Sequence, residues 1–145
     1  MNVIKNQLTE SWLIKAKRDL LAAVQLAECE KPLLDSAAYH CQQAAEKAVK
    51  AFLVFQDIRF EKTHDLDVLL NQAAKIEPEF LQLLNLGNLL TPLATEFRYP
   101  GEYLEPELDE YEEALHAAKK IFGMVCTQIS RKEKVFAVNE NLKKN

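Results

Sequence analysis

The chain has 145 residues, 48% apolar and 28% charged, with a net charge of −4. That is the profile of one soluble globular domain, large enough to bury roughly two-thirds of the surface its unfolded chain exposes. The acidic balance excludes a strong global basic field, so tight non-specific nucleic-acid binding is not expected from charge alone, although a local basic patch stays open.

No run approaches the roughly 18 apolar residues of a membrane span, and MNVIKNQLTESW lacks the apolar core of a signal peptide. A cytoplasmic location and no membrane partner are therefore expected. Cys29, Cys41 and Cys126 are an odd set without C-x-x-C spacing. They point to neither a disulfide framework nor a zinc site, and each is expected as a small buried or half-buried apolar residue in a reducing compartment.

Helical periodicity runs through most of the sequence, and no stretch alternates with the period of a strand. Trp12, Ala16, Leu20, Ala23 and Ala27 form a stripe that predicts a first helix from about Glu10 to Cys29, ended by Pro32. A second helix is predicted after Asp35 or Ser36 as N-cap and onward to Phe55. Its apolar arc contains Ala37, Cys41, Ala44, Ala45, Ala48, Ala51, Phe52 and Phe55, and the many alanines let a neighbour approach closely. After a loop from Gln56 to Lys62, Thr63 is the expected N-cap of a third helix with Leu66, Leu69, Leu70 and Ala73 inward. A fourth starts near Pro78 and carries Phe80, Leu83, Leu84, Leu86, Leu89 and Leu90, with Pro92 kinking or restarting it. Such an apolar helix is either central or covered by a second subunit.

FRYPGEYLEP, Phe97 to Pro106, is irregular. A fifth helix follows to about Arg131, with Leu108, Tyr111, Leu115, Ala118, Phe122, Val125 and Ile129 as its stripe. The acidic start, Glu102 to Glu110, reads as a solvated, dipole-matched helix start rather than a metal cage. Residues 131–145 are expected to form a polar tail that frays, leaving 1–130 as the bundle. The whole predicts an all-α, antiparallel up-and-down four-helix bundle with an additional short helix.

Within YHCQQAAEKAVKAF, His40, Gln43, Lys47 and Lys50 occupy a sector of roughly 80° beside the apolar arc. Helix physics alone reads this row as a solvated face, with a Glu46–Lys50 pair worth a few tenths of a kcal/mol. The alternative is a polar site held on a rigid rod. Asp19 favours the second reading, because it falls between Ala16 and Ala23 and needs a partner if it turns inward. Lys47, His40 and Arg98 are the candidates; a structural clamp between helices is the plainer account. His116 is expected on the surface or half-buried, without a functional role.

Trp12, Ala16, Asp19 and Leu20 in W-x3-A-x2-D-L, then YHCQQAAEKAVKAFL, KTHDL at Lys62 to Leu66 and FRYP at Phe97 to Pro100 follow in order. Together they resemble the HEPN domain family over roughly Ser11 to Ile129. The resemblance implies an up-and-down four-helix bundle, often a homodimer, that binds a nucleotide or pairs with a minimal nucleotidyltransferase protein, in some cases as a toxin–antitoxin pair. Some members are metal-independent RNases that use Arg-x4–6-His near the start of the last long helix. Here Tyr99 to Leu104 contain no histidine after Arg98, and Arg59 with His64 reads as a coincidence of spacing in a loop.

The expected pocket therefore comprises Asp19, His40, Gln43, Lys47, Lys50, His64, Arg98 and Tyr99. Lys47, Lys50 and Arg98 would supply charge for phosphate, Tyr99 and Tyr103 a flat surface for a base, and His40 and His64 hydrogen bonds. His64 is alternatively a second capping group for the third helix. No catalytic residue, metal site or cofactor is expected: Gly-rich phosphate loops and metal-ligand patterns are absent from the sequence. The competing readings are a metal-independent RNase, which would bring RNA in as substrate, and a purely structural dimerisation module.

Overall fold

The structure, a computed structural model, describes residues 3–101 and 105–144, with side chains described up to residue 134. Glu102 and Tyr103 lie outside the described residues, and so do the side chains of the VFAV patch. The elements are α1 (Val3–Glu28), α2 (Leu34–Phe55), α3 (Leu66–Ala74), a 3-10 turn (Pro78–Leu83), α4 (Leu84–Leu90), a second 3-10 turn (Thr91–Ala94) and α5 (Leu108–Lys144). All described secondary structure is helical, as the periodicity requires.

α1 and α2 pack as a hairpin across a short connection, α5 lies against α2, and α3, α4 and their 3-10 turns fill the remaining side. Alanine makes the close approach possible: Ala16 and Ala23 of α1, Ala44, Ala45, Ala48 and Ala51 of α2, and Ala114, Ala117 and Ala118 of α5 are all fully buried. The large residues sit towards the short helices, where Phe52, Phe80, Leu53, Leu66, Leu69, Leu70 and Leu90 fill the core. The phenyl rings of Phe52 and Phe80 stand 4.6 Å apart between centroids, tilted by 51°.

Several boundaries depart from the periodic reading, each for a local reason. α1 begins at Val3 rather than Glu10, and Lys5 ties its first turns to Asp57 at 2.9 Å. α2 starts at Leu34 with Leu33 at the N-cap and no side-chain cap; Asp35 lies inside the first turn instead. Its C-terminus closes as a Schellman motif: the N–H of Ile58 donates to the carbonyl of Leu53, that of Asp57 to Val54, and Asp57 takes the left-handed φ of 58°.

The cap of α3 is Asp65, which accepts from the N–H of Asp67, while Thr63 caps one step earlier by accepting from the N–H of Asp65. The stretch from Pro78 is only partly α-helical, and Leu81 and Leu89 remain half-open to solvent. α5 does not stop near Arg131; its helical backbone continues to Lys144. Of the expected stripe, Tyr111, Ala118, Val125 and Ile129 are buried and Leu115 and Phe122 pack half-buried against the core, while Leu108 is exposed; Ala114, Ala117 and Ile121 widen the buried face towards the alanines of α2. At its start the Glu110 carboxylate accepts from the N–H of Glu107, so part of the acidic run serves as a cap. Cys41 is buried, and burial pushes its thiol up to about 12 despite the opposing pull of Lys119. Cys29, against expectation, is exposed at the end of α1, where its thiol donates to the carbonyls of Leu26 and Lys31.

Two helical glycines make opposite predictions. A Cβ at Gly123 would meet nothing within 4 Å, whereas one at Gly87 would stand 2.8 Å from Leu70 Cδ1 and 3.2 Å from Leu66 Cβ. Gly123→Ala is expected to raise the unfolding free energy by about 0.5–1 kcal/mol through helix propensity alone. Gly87→Leu should lower it by about 1–3 kcal/mol, because the added atoms enter a filled core. Urea unfolding of both variants checks the pair of signs.

Candidate functional site

Asp19 is 7% exposed, placed on the inner side of α1 by the same turn that buries Ala16, Leu20 and Ala23. A carboxylate so placed must be paired. α2 supplies two partners from positions seven apart, hence two turns along one face. His40 Nδ1 lies 2.8 Å from Asp19 Oδ1, and Lys47 Nζ donates to Oδ2 at 2.6 Å. Both oxygens are engaged, so the clamp joins α1 to α2 and orients the imidazole and the ammonium together.

This clamp forms one wall of an open groove of about 480 Å³, lined by Lys15, Arg18, Asp19, Leu21, Ala22, Gln25, His40 and Lys47. Asp19 offsets one of the three fixed cations of that lining, which leaves an excess of positive charge facing solvent. A second cleft of about 320 Å³ adjoins it through His40 and is lined by Asp35, Ser36, Tyr39, His40, Phe97 and Arg98. There the Arg98 guanidinium lies 4.2 Å from the centre of the Tyr39 ring, a cation–π contact, and the rings of Tyr39 and His40 meet edge to face at 5.5 Å. The two clefts therefore offer cations suited to phosphate and a stacked planar surface suited to a base.

A second carboxylate organises the other part of the row. Glu46, 3% exposed, accepts from Lys50 Nζ at 3.0 Å and from Gln42 Nε2 at 3.1 Å, and its Oε1 lies 2.8 Å from His64 Nδ1. Burial alone raises its carboxyl pKa, but the hydrogen bonds from His64, Lys50 and Gln42 outweigh burial and hold it below the ordinary value. Gln42 Nε2 also donates to the carbonyl of His64, and Gln43 Nε2 donates to Gln42 Oε1 at 2.8 Å. Lys50 lies 5.2 Å from the centre of the Phe60 ring and 5.8 Å from that of Trp12, two rings packed edge to face. The Glu46–Lys50 pair is thus a buried junction of α1, α2 and the α2–α3 loop, not a pair on a wet face.

The expected pocket therefore resolves into parts. Asp19, His40 and Lys47 meet as expected, and Arg98 enters beside them through Tyr39 rather than by contact with Asp19. Lys50, His64 and, through Gln42, Gln43 belong to the Glu46 network. His64 is not a capping group, since its ring turns onto Glu46 while Asp65 caps α3. Tyr99 is largely exposed past the second 3-10 turn, and Arg59 is exposed in the α2–α3 loop. His116 is exposed, beside Leu86 and Leu89 and the acids Asp109, Glu112 and Glu113.

Lys15 and Arg18 escaped the sequence reading, although their spacing to Asp19 and Ala22 marks one helical face. Gln42 escaped it as well, and Glu46 entered it only as the wet-face partner of Lys50, because nothing in a helix pattern signals that a loop will fold over them.

A compact α-helical domain with a cationic groove walled by an interhelical carboxylate clamp is the class these features define. The chain belongs to the HEPN domain family, whose model matches residues 9–133. The crystal structure of an archaeal HEPN homologue is 30% identical to it, with a TM-score of 0.66, over 83% of this chain and 97% of that one. No curated protein matches the chain. Among the described residues no helix is long and apolar enough to cross a membrane.

Proposed function

We propose that this protein is a nucleotide-binding module of the HEPN type that acts as a homodimer in the cytoplasm with a minimal nucleotidyltransferase protein, in a pair of the toxin–antitoxin kind. The observation that carries the nucleotide reading is the groove formed by Lys15, Arg18, His40 and Lys47 around Asp19, joined through His40 to the Arg98–Tyr39 stack. In this reading the phosphates lie along Lys15, Arg18 and Lys47. The base stacks on the guanidinium of Arg98, and Asp19 positions His40 and Lys47 without touching the ligand. Such a site recognises charge and a flat ring, which suits a nucleotide better than an uncharged metabolite.

Calorimetric titration with ATP, other nucleotides and a short RNA tests it. Micromolar nucleotide binding is expected, weakened about tenfold or more in Arg18→Ala, one charge-assisted contact being worth about 1.5–3 kcal/mol, and by about 0.5–2 kcal/mol in Arg98→Ala, which loses the stacking contact with the base. These two residues serve better than Lys47, whose removal would leave Asp19 buried with one partner fewer. Absence of heat with every nucleotide would sink the reading. It would also favour a dimerisation module, for which the exposed Leu81, Leu89 and Leu108 speak.

A further inference from the structure

We propose that His64 is a phosphoryl-accepting histidine, modified at Nε2 by a small donor of the phosphoramidate class, in a chemistry separate from the nucleotide groove. His64 precedes the N-cap of α3, and 70% of its side chain is exposed. Its Nδ1 is nonetheless fixed, 2.8 Å from Glu46 Oε1.

That geometry assigns the proton. Glu46 is held as the carboxylate by Lys50 and Gln42, so it accepts, and the neutral form of the imidazole carries its proton on Nδ1. The lone pair of that form is on Nε2, on a side chain 70% exposed. A carboxylate that orients a histidine in this way also stabilises the positive ring that forms when the other nitrogen reacts. The loop adds two exposed cations, Arg59 and Lys62, with Glu61 between them, and Lys50 stands on the far oxygen of Glu46.

The step balances with a phosphoramidate donor. The Nε2 lone pair forms a bond to phosphorus and the donor's N–P bond breaks. Ammonia leaves with the protons it already carried, and the ring keeps its Nδ1 proton and takes a positive charge against Glu46. Nothing is oxidised or reduced. His40 has a similar carboxylate partner in Asp19, but only 31% of its side chain is open, and Lys47 shares the same acid. His116 is exposed, and no carboxylate contact orients it among the described side chains. His64 alone among the described histidines combines an oriented ring with broad access.

The test is to incubate the full chain with potassium phosphoramidate and follow the acid-labile phosphoryl adduct by phosphorus NMR and intact mass, with the site located by fragmentation. Labelling is expected at His64, about tenfold or more faster than in a free peptide spanning residues 60–68, which has the loop but not Glu46. His64→Gln should abolish that label and keep the fold, since the side chain is exposed. Glu46→Gln should slow it by a similar factor wherever circular dichroism shows the variant folded. Should Glu46→Gln fail to fold, the comparison of wild type with the peptide decides by itself. Equal rates in chain and peptide, or labelling at His40 or His116 as fast as at His64, would overturn the proposal. Nucleotide titration of His64→Gln separates the two sites: unchanged binding is expected, and lost binding would overturn their independence.

Discussion

Replacing Glu46 with alanine is expected to lower the unfolding free energy by about 3–5 kcal/mol, the range for removing one partner of a buried charged pair. The loss does not come from the exposed His64, which finds water when the acid is gone. It comes mainly from Lys50, 9% exposed between Trp12 and Phe60 and left without its acceptor, and in smaller part from Gln42, fully buried, which keeps only the carbonyl of His64. Glu46→Gln keeps the shape and some hydrogen bonding and should cost less. The glutamine variant also tests the sign of the pH dependence. The folded carboxyl sits below its ordinary value of 4.5, so the unfolded chain binds this proton more readily than the folded one. Its contribution is therefore complete above the ordinary carboxylate range and is lost as the pH falls through the folded value. Urea unfolding should show the largest gap between wild type and Glu46→Gln near neutrality, closing in acid. A gap that widened as the pH fell would show that the pairing has been misassigned.

Phe52→Ala is the second large effect, with an expected loss of about 3–5 kcal/mol. Phe52 is fully buried where α2 meets the 3-10 turn, and its ring is in contact with that of Phe80. Truncation removes the transfer energy of the ring and opens a cavity bounded by rigid helix backbone on one side. Phe80→Ala should cost about as much, and the double variant should cost less than the sum by roughly 0.5–1.5 kcal/mol, the coupling of an aromatic pair in contact. Phe60→Ala, at a half-buried position, should cost clearly less than either. A loss at Phe52 no greater than at Phe60 would contradict the packing described.

The difference between these two sites reflects what a helical sequence pattern can transmit. Phe52 was legible because it continues the apolar arc of α2, and burial follows from its phase on the helix. Asp19 was legible for the opposite reason: an acid in the phase of Ala16 and Ala23 demands a partner, and His40 and Lys47 were the right ones. Glu46 was misread because its own helix places it at the edge of the arc. The α2–α3 loop, with His64 and Phe60, folds across that edge and turns a wet i,i+4 pair into a buried junction. Arg98 was placed near the right acid but in the wrong contact, since its position depends on how the irregular segment returns to α2. The stripe of α5 was legible from Tyr111 to Ile129, where Leu115 and Phe122 flank the buried line; only Leu108, at the first turn, stays in solvent.

From the sequence by itself come the helical class, the order of the elements, the alanine-lined centre and the inward acid of α1, because each depends on residues three or four apart on one helix. The division of the polar row between Asp19 and Glu46, the groove with Lys15 and Arg18, and the exposure of His64 were decided by tertiary structure. Each depends on which segment lies over a given helical face, and that is a relation between parts of the chain that no local period encodes.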